Sequence, residues 1–109
     1  MIKLETIYEG STFYGAEIAL WEDEIIPVEL ESANIIMHIK RKGEDEPVQI
    51  YSSENGKLTI ENNVITIPEH KPTLEFGKYV FDFNIQFFAT TETGVAGGEW
   101  EILNPVTHR

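Results

Sequence analysis

The longest regular pattern in the chain runs from Gly77 to Phe87. Tyr79, Phe81, Phe83, Ile85 and Phe87 share one parity, and Asp82, Asn84 and Gln86 share the other. Alternation with period two predicts a strand with one buried face. The same signal recurs along the chain. Ile2 to Tyr8 is β-rich and predicts an opening strand, broken at Gly10-Ser11. Phe13 to Trp21 predicts a second strand, with Tyr14, Ala16, Ile18 and Leu20 inward and Glu17 outward. Glu22-Asp23-Glu24 ends it as a charged turn, and Pro27 excludes a central ladder position. Ile35, Met37 and Ile39 alternate with Ile36, His38 and Lys40, predicting a core strand. A polar loop from Arg41 to Pro47 leads into Val48 to Tyr51. In the last strand, Gly98 to Leu103, Trp100 and Ile102 point in and Glu99 and Glu101 point out.

Leu58-Thr59-Ile60-Glu61 and Val64-Ile65-Thr66-Ile67 flank Asn62-Asn63. A two-residue turn of primed type, with positive φ at both asparagines, pairs Ile60 with Ile65 and Thr59 with Thr66. Leu58, Ile60, Ile65 and Ile67 then share one face, so turn geometry and apolar pattern agree on one register. Asn55-Gly56 is a second turn signal. Pro68 to Leu74 reads as a crossover. The predicted core is Tyr14, Ile18, Leu20, Ile35, Met37, Ile39, Leu58, Ile60, Ile65, Ile67, Phe81, Phe83, Ile85, Trp100 and Ile102.

Gly77 lies two residues before Tyr79, at the entry to the longest strand, and Phe81 follows two residues later. This is the pattern of a tyrosine corner, in which the phenol bonds back to the backbone just upstream, here near Thr73 to Phe76. Phe81 takes the place of the second cysteine of an antibody domain. With strands and turns alternating along the whole chain, the fold expectation is all-β: an immunoglobulin-like antiparallel β-sandwich of seven or eight strands. Residues 1–109 form one domain, with 104–109 as a flexible tail.

The charge narrows the classes of function. Acidic residues number 19 against 8 basic ones, a net charge of −11. That field opposes nucleic-acid phosphates and anionic membranes, and favours a basic partner if it favours any. No cysteine is present, which excludes disulfides and thiolate chemistry and fits a reducing compartment. No apolar run is long enough for a membrane span, and the N-terminus lacks the pattern of a signal peptide. The expectation is a complete chain made in the cytoplasm.

No catalytic, cofactor or metal site assembles from the sequence. His38, His70 and His108 have no ligand spacing and read as scattered surface histidines. Ser11, Ser32, Ser52 and Ser53 lack a nucleophile elbow. Glu22-Asp23-Glu24 and Glu44-Asp45-Glu46 lack the alternating ligands of a calcium loop and read as solvated acids. Gly94-Val95-Ala96-Gly97-Gly98 precedes a strand, so it reads as a hairpin loop and not as a phosphate cradle. Trp21 and Phe88 fall off the core parity of their strands. They are the candidate interface anchors, or a platform for sugar stacking.

Five pieces, in order, carry a family resemblance: Gly10-Ser11-Thr12-Phe13; Pro27-Val28-Glu29-Leu30; the alternating run Ile35 to Arg41; Leu74-Glu75-Phe76-Gly77-Lys78-Tyr79-Val80-Phe81-Asp82; and Gly98 to Ile102 with Pro105-Val106-Thr107. Together they resemble the immunoglobulin-like domains of tailed phage and prophage structural proteins, the N-terminal domain of the baseplate upper protein above all. Glu31-Ser32 departs from the Thr-Gly usual there. The resemblance implies a non-enzymatic assembly protein of the tail, baseplate or neck, resident in the virion and in the host cytoplasm before assembly. Its implied partners are other phage structural proteins or copies of itself, with no cofactor. The alternatives are a carbohydrate-binding module or a small acidic protein that binds a host factor.

Overall fold

The computed structural model describes residues 2–20, 30, 33–87, 91–92 and 96–105. Its described residues form ten strands and no helix. They are β1 (Ile2–Lys3), β2 (Ile7–Tyr8), β3 (Ala16–Ala19), β4 (Asn34–Arg41), β5 (Pro47–Ser52), β6 (Thr59–Glu61), β7 (Val64–Ile67), β8 (Gly77–Gln86), β9 (Thr91–Glu92) and β10 (Gly97–Leu103). One sheet of seven strands has the order β1-β10-β8-β4-β5, with β2 also on β10 and β9 on β8. A second sheet of three has the order β3-β7-β6. The fold is all-β and sandwich-like.

The strand number exceeds seven or eight because β9 is added and the opening segment is split. Ile2 pairs with Gly98, but Ile7 pairs with Ile102, so the opening segment carries one residue more than β10. The surplus is taken up at Glu5, whose carbonyl leaves the ladder and accepts the Trp100 indole N–H at 3.0 Å. Both halves run parallel to β10, so the large sheet is not purely antiparallel.

The long strands follow their pattern. Along β4 and β8, every second side chain from Ile35 to Ile39 and from Tyr79 to Ile85 is buried. These side chains join Tyr51, Trp100 and Ile102 of the large sheet and Ile18, Ile65 and Ile67 of the small sheet in one core. Burial of that apolar surface is the main force holding the two sheets together.

Three expectations need correction. Tyr14 is 71% exposed, and Phe13 is buried instead, against Trp100 at 5.0 Å between ring centroids. The phase slips at Gly15, whose φ of +102° is a left-handed conformation. A Cβ there would also lie 2.9 Å from the Ile67 carbonyl oxygen. Ile60 is only partly buried, because β6 is the outer strand of the small sheet. The Asn62-Asn63 turn gives the expected register, Ile60 with Ile65, but positive φ (54°) falls on Asn62 and not on Asn63. Asn63 is held by bonds instead: its Nδ2 donates to the Leu20 carbonyl at 2.9 Å, and the Leu20 N–H donates to its carbonyl at 2.9 Å.

Candidate functional site

The corner formed by Tyr79 is the most organised feature at the molecular surface. Gly77 enters β8 with φ of +148°, and Arg41 packs so closely that a Cβ there would lie 2.6 Å from a guanidinium nitrogen. The turn carries Tyr79 inward, where its hydroxyl donates to the Glu75 carbonyl at 2.7 Å. The Arg41 guanidinium lies over the phenol ring, 5.3 Å from its centroid. It also reaches the Glu75 carboxylate at 3.3 Å and the Phe76 carbonyl at 3.4 Å. The Glu9 carboxylate accepts the Phe76 N–H at 3.0 Å. Burial pushes the Tyr79 phenol up from its ordinary pKa; Arg41 pulls it down, and Glu75, Glu9 and Glu44 push it up again. A cleft of about 250 Å³ opens beside this corner, lined by Arg41, Val48, Gln49, Thr73, Leu74, Glu75 and Tyr79. Val48 is 44% and Phe76 49% exposed at this end.

A second polar arrangement joins the crossover to the large sheet. His70 Nδ1 lies 2.8 Å from the Pro68 carbonyl, which can only accept, so Nδ1 carries a proton. In the neutral ring Nε2 then accepts from the Tyr51 hydroxyl, 2.8 Å away. His70 is therefore a half-buried tie and not a surface histidine; Phe13 and Tyr51 both meet its ring edge-on. Burial pushes the Tyr51 phenol up to about 12. His38 lies on the outer face of β4, with Asp82 at 3.9 Å and Asn84 at 3.4 Å.

Among the described residues, no three histidines or carboxylates gather in a way that holds a metal ion. Glu44, Asp45 and Glu46 are exposed in the β4–β5 turn. Trp21, Phe88, His108 and Glu22-Asp23-Glu24 lie outside the described residues. Phe81 and Trp100 are buried as expected. Of the glycine-rich stretch, Gly97 and Gly98 belong to β10 itself, and Gly98 sits against the Ile2 carbonyl and the Phe81 ring.

Among the described residues β5 pairs on one side only, with β4, and its other edge bears on how another protein could approach. Asn55 Oδ1 accepts the Ser52 N–H at 3.0 Å, Asn55 Nδ2 donates to the Ile50 carbonyl at 3.1 Å, and the Leu58 N–H donates to the Ser52 carbonyl at 3.1 Å. These groups face away from β4, so the Ile50 carbonyl and both backbone groups of Ser52 are already satisfied by the chain itself.

The chain matches no known family model, curated protein or solved structure. Its function is argued from its own residues. Sequence reasoning missed Phe13, Tyr51 and His70, which meet only through the fold. Leu74 was readable in the corner motif as the buried residue upstream of Gly77.

Proposed function

We propose that this chain is a non-enzymatic structural protein of a phage or prophage particle, in the tail, baseplate or neck, and that it works by docking onto neighbouring subunits. The observation that carries the reading is exposed apolar surface on a strongly acidic domain: Val48, Ile50 (46% exposed) and Phe76. Exposed apolar side chains are where partners bury area. The strand order supports the immunoglobulin-like part of the reading. On that reading the small sheet, β3-β7-β6, supplies strands B, E and D of such a domain, and β10-β8-β4-β5 supplies G, F, C and C′. Tyr79 then stands at the start of strand F, where the corner belongs. Trp21 and Phe88 remain candidate anchors on sequence grounds.

Mass spectrometry of particles purified from an induced lysogen is the test. A fixed copy number per particle is expected; particles lacking the protein overturn the reading. One observation favours the carbohydrate-binding alternative. Tyr14 stands exposed beside a cleft of about 330 Å³ that Glu17 and Glu69 also line, an aromatic and hydrogen-bonding pair of the kind that holds a sugar ring. Glycan-array binding that Tyr14→Ala abolishes would put that reading first.

A further inference from the structure

We propose that the corner end of the sandwich docks a basic, aliphatic segment of a partner protein, seated on Val48 and Phe76 and ringed by Glu9, Glu44 and Glu75. The inference rests on the docking reading above and adds the partner's chemistry.

The apolar part of the surface is built into the corner. Leu74 is buried at the cleft, Val48 is exposed on its wall, and Phe76 stands out from the turn whose backbone binds Arg41 and Glu9. An aliphatic side chain entering the cleft would cover Val48, above the already buried Leu74. Backbone pairing along β5 is blocked for a partner at Ser52 and at the Ile50 carbonyl, which Asn55 and Leu58 hold. Recognition at this end therefore falls to side chains.

The charge at this end selects a cation. Arg41 is already engaged by the Tyr79 ring, the Glu75 carboxylate and the Phe76 carbonyl. Against this guanidinium and the ammonium of Lys40, opposite Pro47 on β4, stand three carboxylates. Glu75 is 81% exposed, so beside its contact with Arg41 its carboxylate can still meet a partner's ammonium or guanidinium. Glu9 is fixed by the Phe76 N–H, and Glu44 follows the turn in which its N–H bonds the Arg41 carbonyl at 3.0 Å. The neighbouring lysines do not cancel this excess: Lys42 and Lys78 line a separate cleft with Lys3, Glu99 and Glu101, and Lys42 Nζ lies 3.8 Å from Glu99. A second copy of the chain, with a net charge of −11, would be repelled here. A lysine- or arginine-bearing segment would be steered in.

The test uses two synthetic probes, acetyl-Leu-Lys-Leu-Lys-Leu-amide and the same peptide with glutamate for lysine, titrated into the full chain at low salt and followed by backbone amide shifts in NMR. Shifts at Val48 and from Thr73 to Gly77, seen with the lysine peptide alone and shrinking with added salt, are expected. Phe76→Ala should weaken binding about tenfold. Glu9→Gln and Glu75→Gln should each weaken it about two- to fivefold. Phe76 is exposed, so the melting temperature should not move; Val48→Ser is the second variant if it does. Equal binding of both peptides, no shifts, or shifts centred on Glu17 and Glu61 of the small sheet overturn the proposal. Dimers in sedimentation that Phe76→Ala abolishes overturn it in favour of a second copy. If the peptide fails to bind while particles contain the protein, the surface is wrong and the structural reading stands. The reverse result leaves the surface standing without the particle.

Discussion

In the large sheet, β4 and β8 pair without interruption from Asn34 to Arg41, and Ile35, Met37, Ile39, Phe81, Phe83 and Ile85 are buried along them. In the small sheet no strand is longer than four residues, and its outer strand, β6, leaves Ile60 half covered. A short ladder offers few cross-strand pairs. There, amide and carbonyl groups of the turn do the fixing: Asn63 holds Leu20 through two bonds, and the Asn62 carbonyl accepts the Leu30 N–H at 3.1 Å. Both sheets pack into one core, but the small sheet, with Ile18, Ile65 and Ile67 buried, is also held in register by hydrogen bonds made at a turn. The Tyr51–His70 tie is likewise a hydrogen bond, although it anchors on the large sheet.

The comparison is open to direct challenge. Phe83→Ala should cost about 3–5 kcal/mol in denaturant unfolding, because it empties a fully buried ring site. Ile60→Ala should cost well under half of that, since its side chain is already partly in water. Equal losses would mean that both sheets rely on packing alike.

The next effect is alkaline. The fold keeps the Tyr51 phenol protonated up to about 12, against 10.0 for an unburied tyrosine. A raised folded pKa means stability that is complete below pH about 10 and is lost as pH rises towards 12, roughly 2–3 kcal/mol in all. Melting curves across that window should fall more steeply for the native chain than for Tyr51→Phe. Parallel curves would show that burial does not shift the phenol.

Smaller effects test the turns. Asn63→Gly should cost about 1 kcal/mol through the bond to Leu20, whereas Asn62→Gly should be near neutral, because φ is positive there. The reverse order would return the turn to the geometry with positive φ at its second residue. Tyr79→Phe should cost about 1 kcal/mol and loosen the Thr73–Phe76 segment in hydrogen exchange.

The large sheet was legible because its strands are long enough for period two to be unmistakable. Tyr79 was legible because a glycine, a tyrosine and a core residue at fixed offsets describe one local geometry. The error at Tyr14 has a local cause as well: Gly15 resets the phase, and alternation carried through a left-handed residue assigns the wrong face. Glu5 and Trp100 deceive in a different way. A single surplus residue splits the opening strand, and nothing in its composition marks where the partner indole will stand. The corner end was the least legible. Val48, Phe76, Glu9, Glu44 and Glu75 come from separated segments, and Val48 adjoins the register shift between Ile39 and Lys40 that no alternation reports.

The asparagine at the end of β5 has one more consequence, for aggregation. With the Ile50 carbonyl and the Ser52 backbone held by the Asn55 turn, another chain cannot complete a ladder along β5 while that turn is closed. Polymerisation would then be governed by a local opening and not by global unfolding. Asn55→Ala should leave the core and its melting temperature nearly intact and yet shorten the lag before fibrils or precipitates form, because Val48 and Ile50 already supply the sticky side chains that an unguarded strand needs.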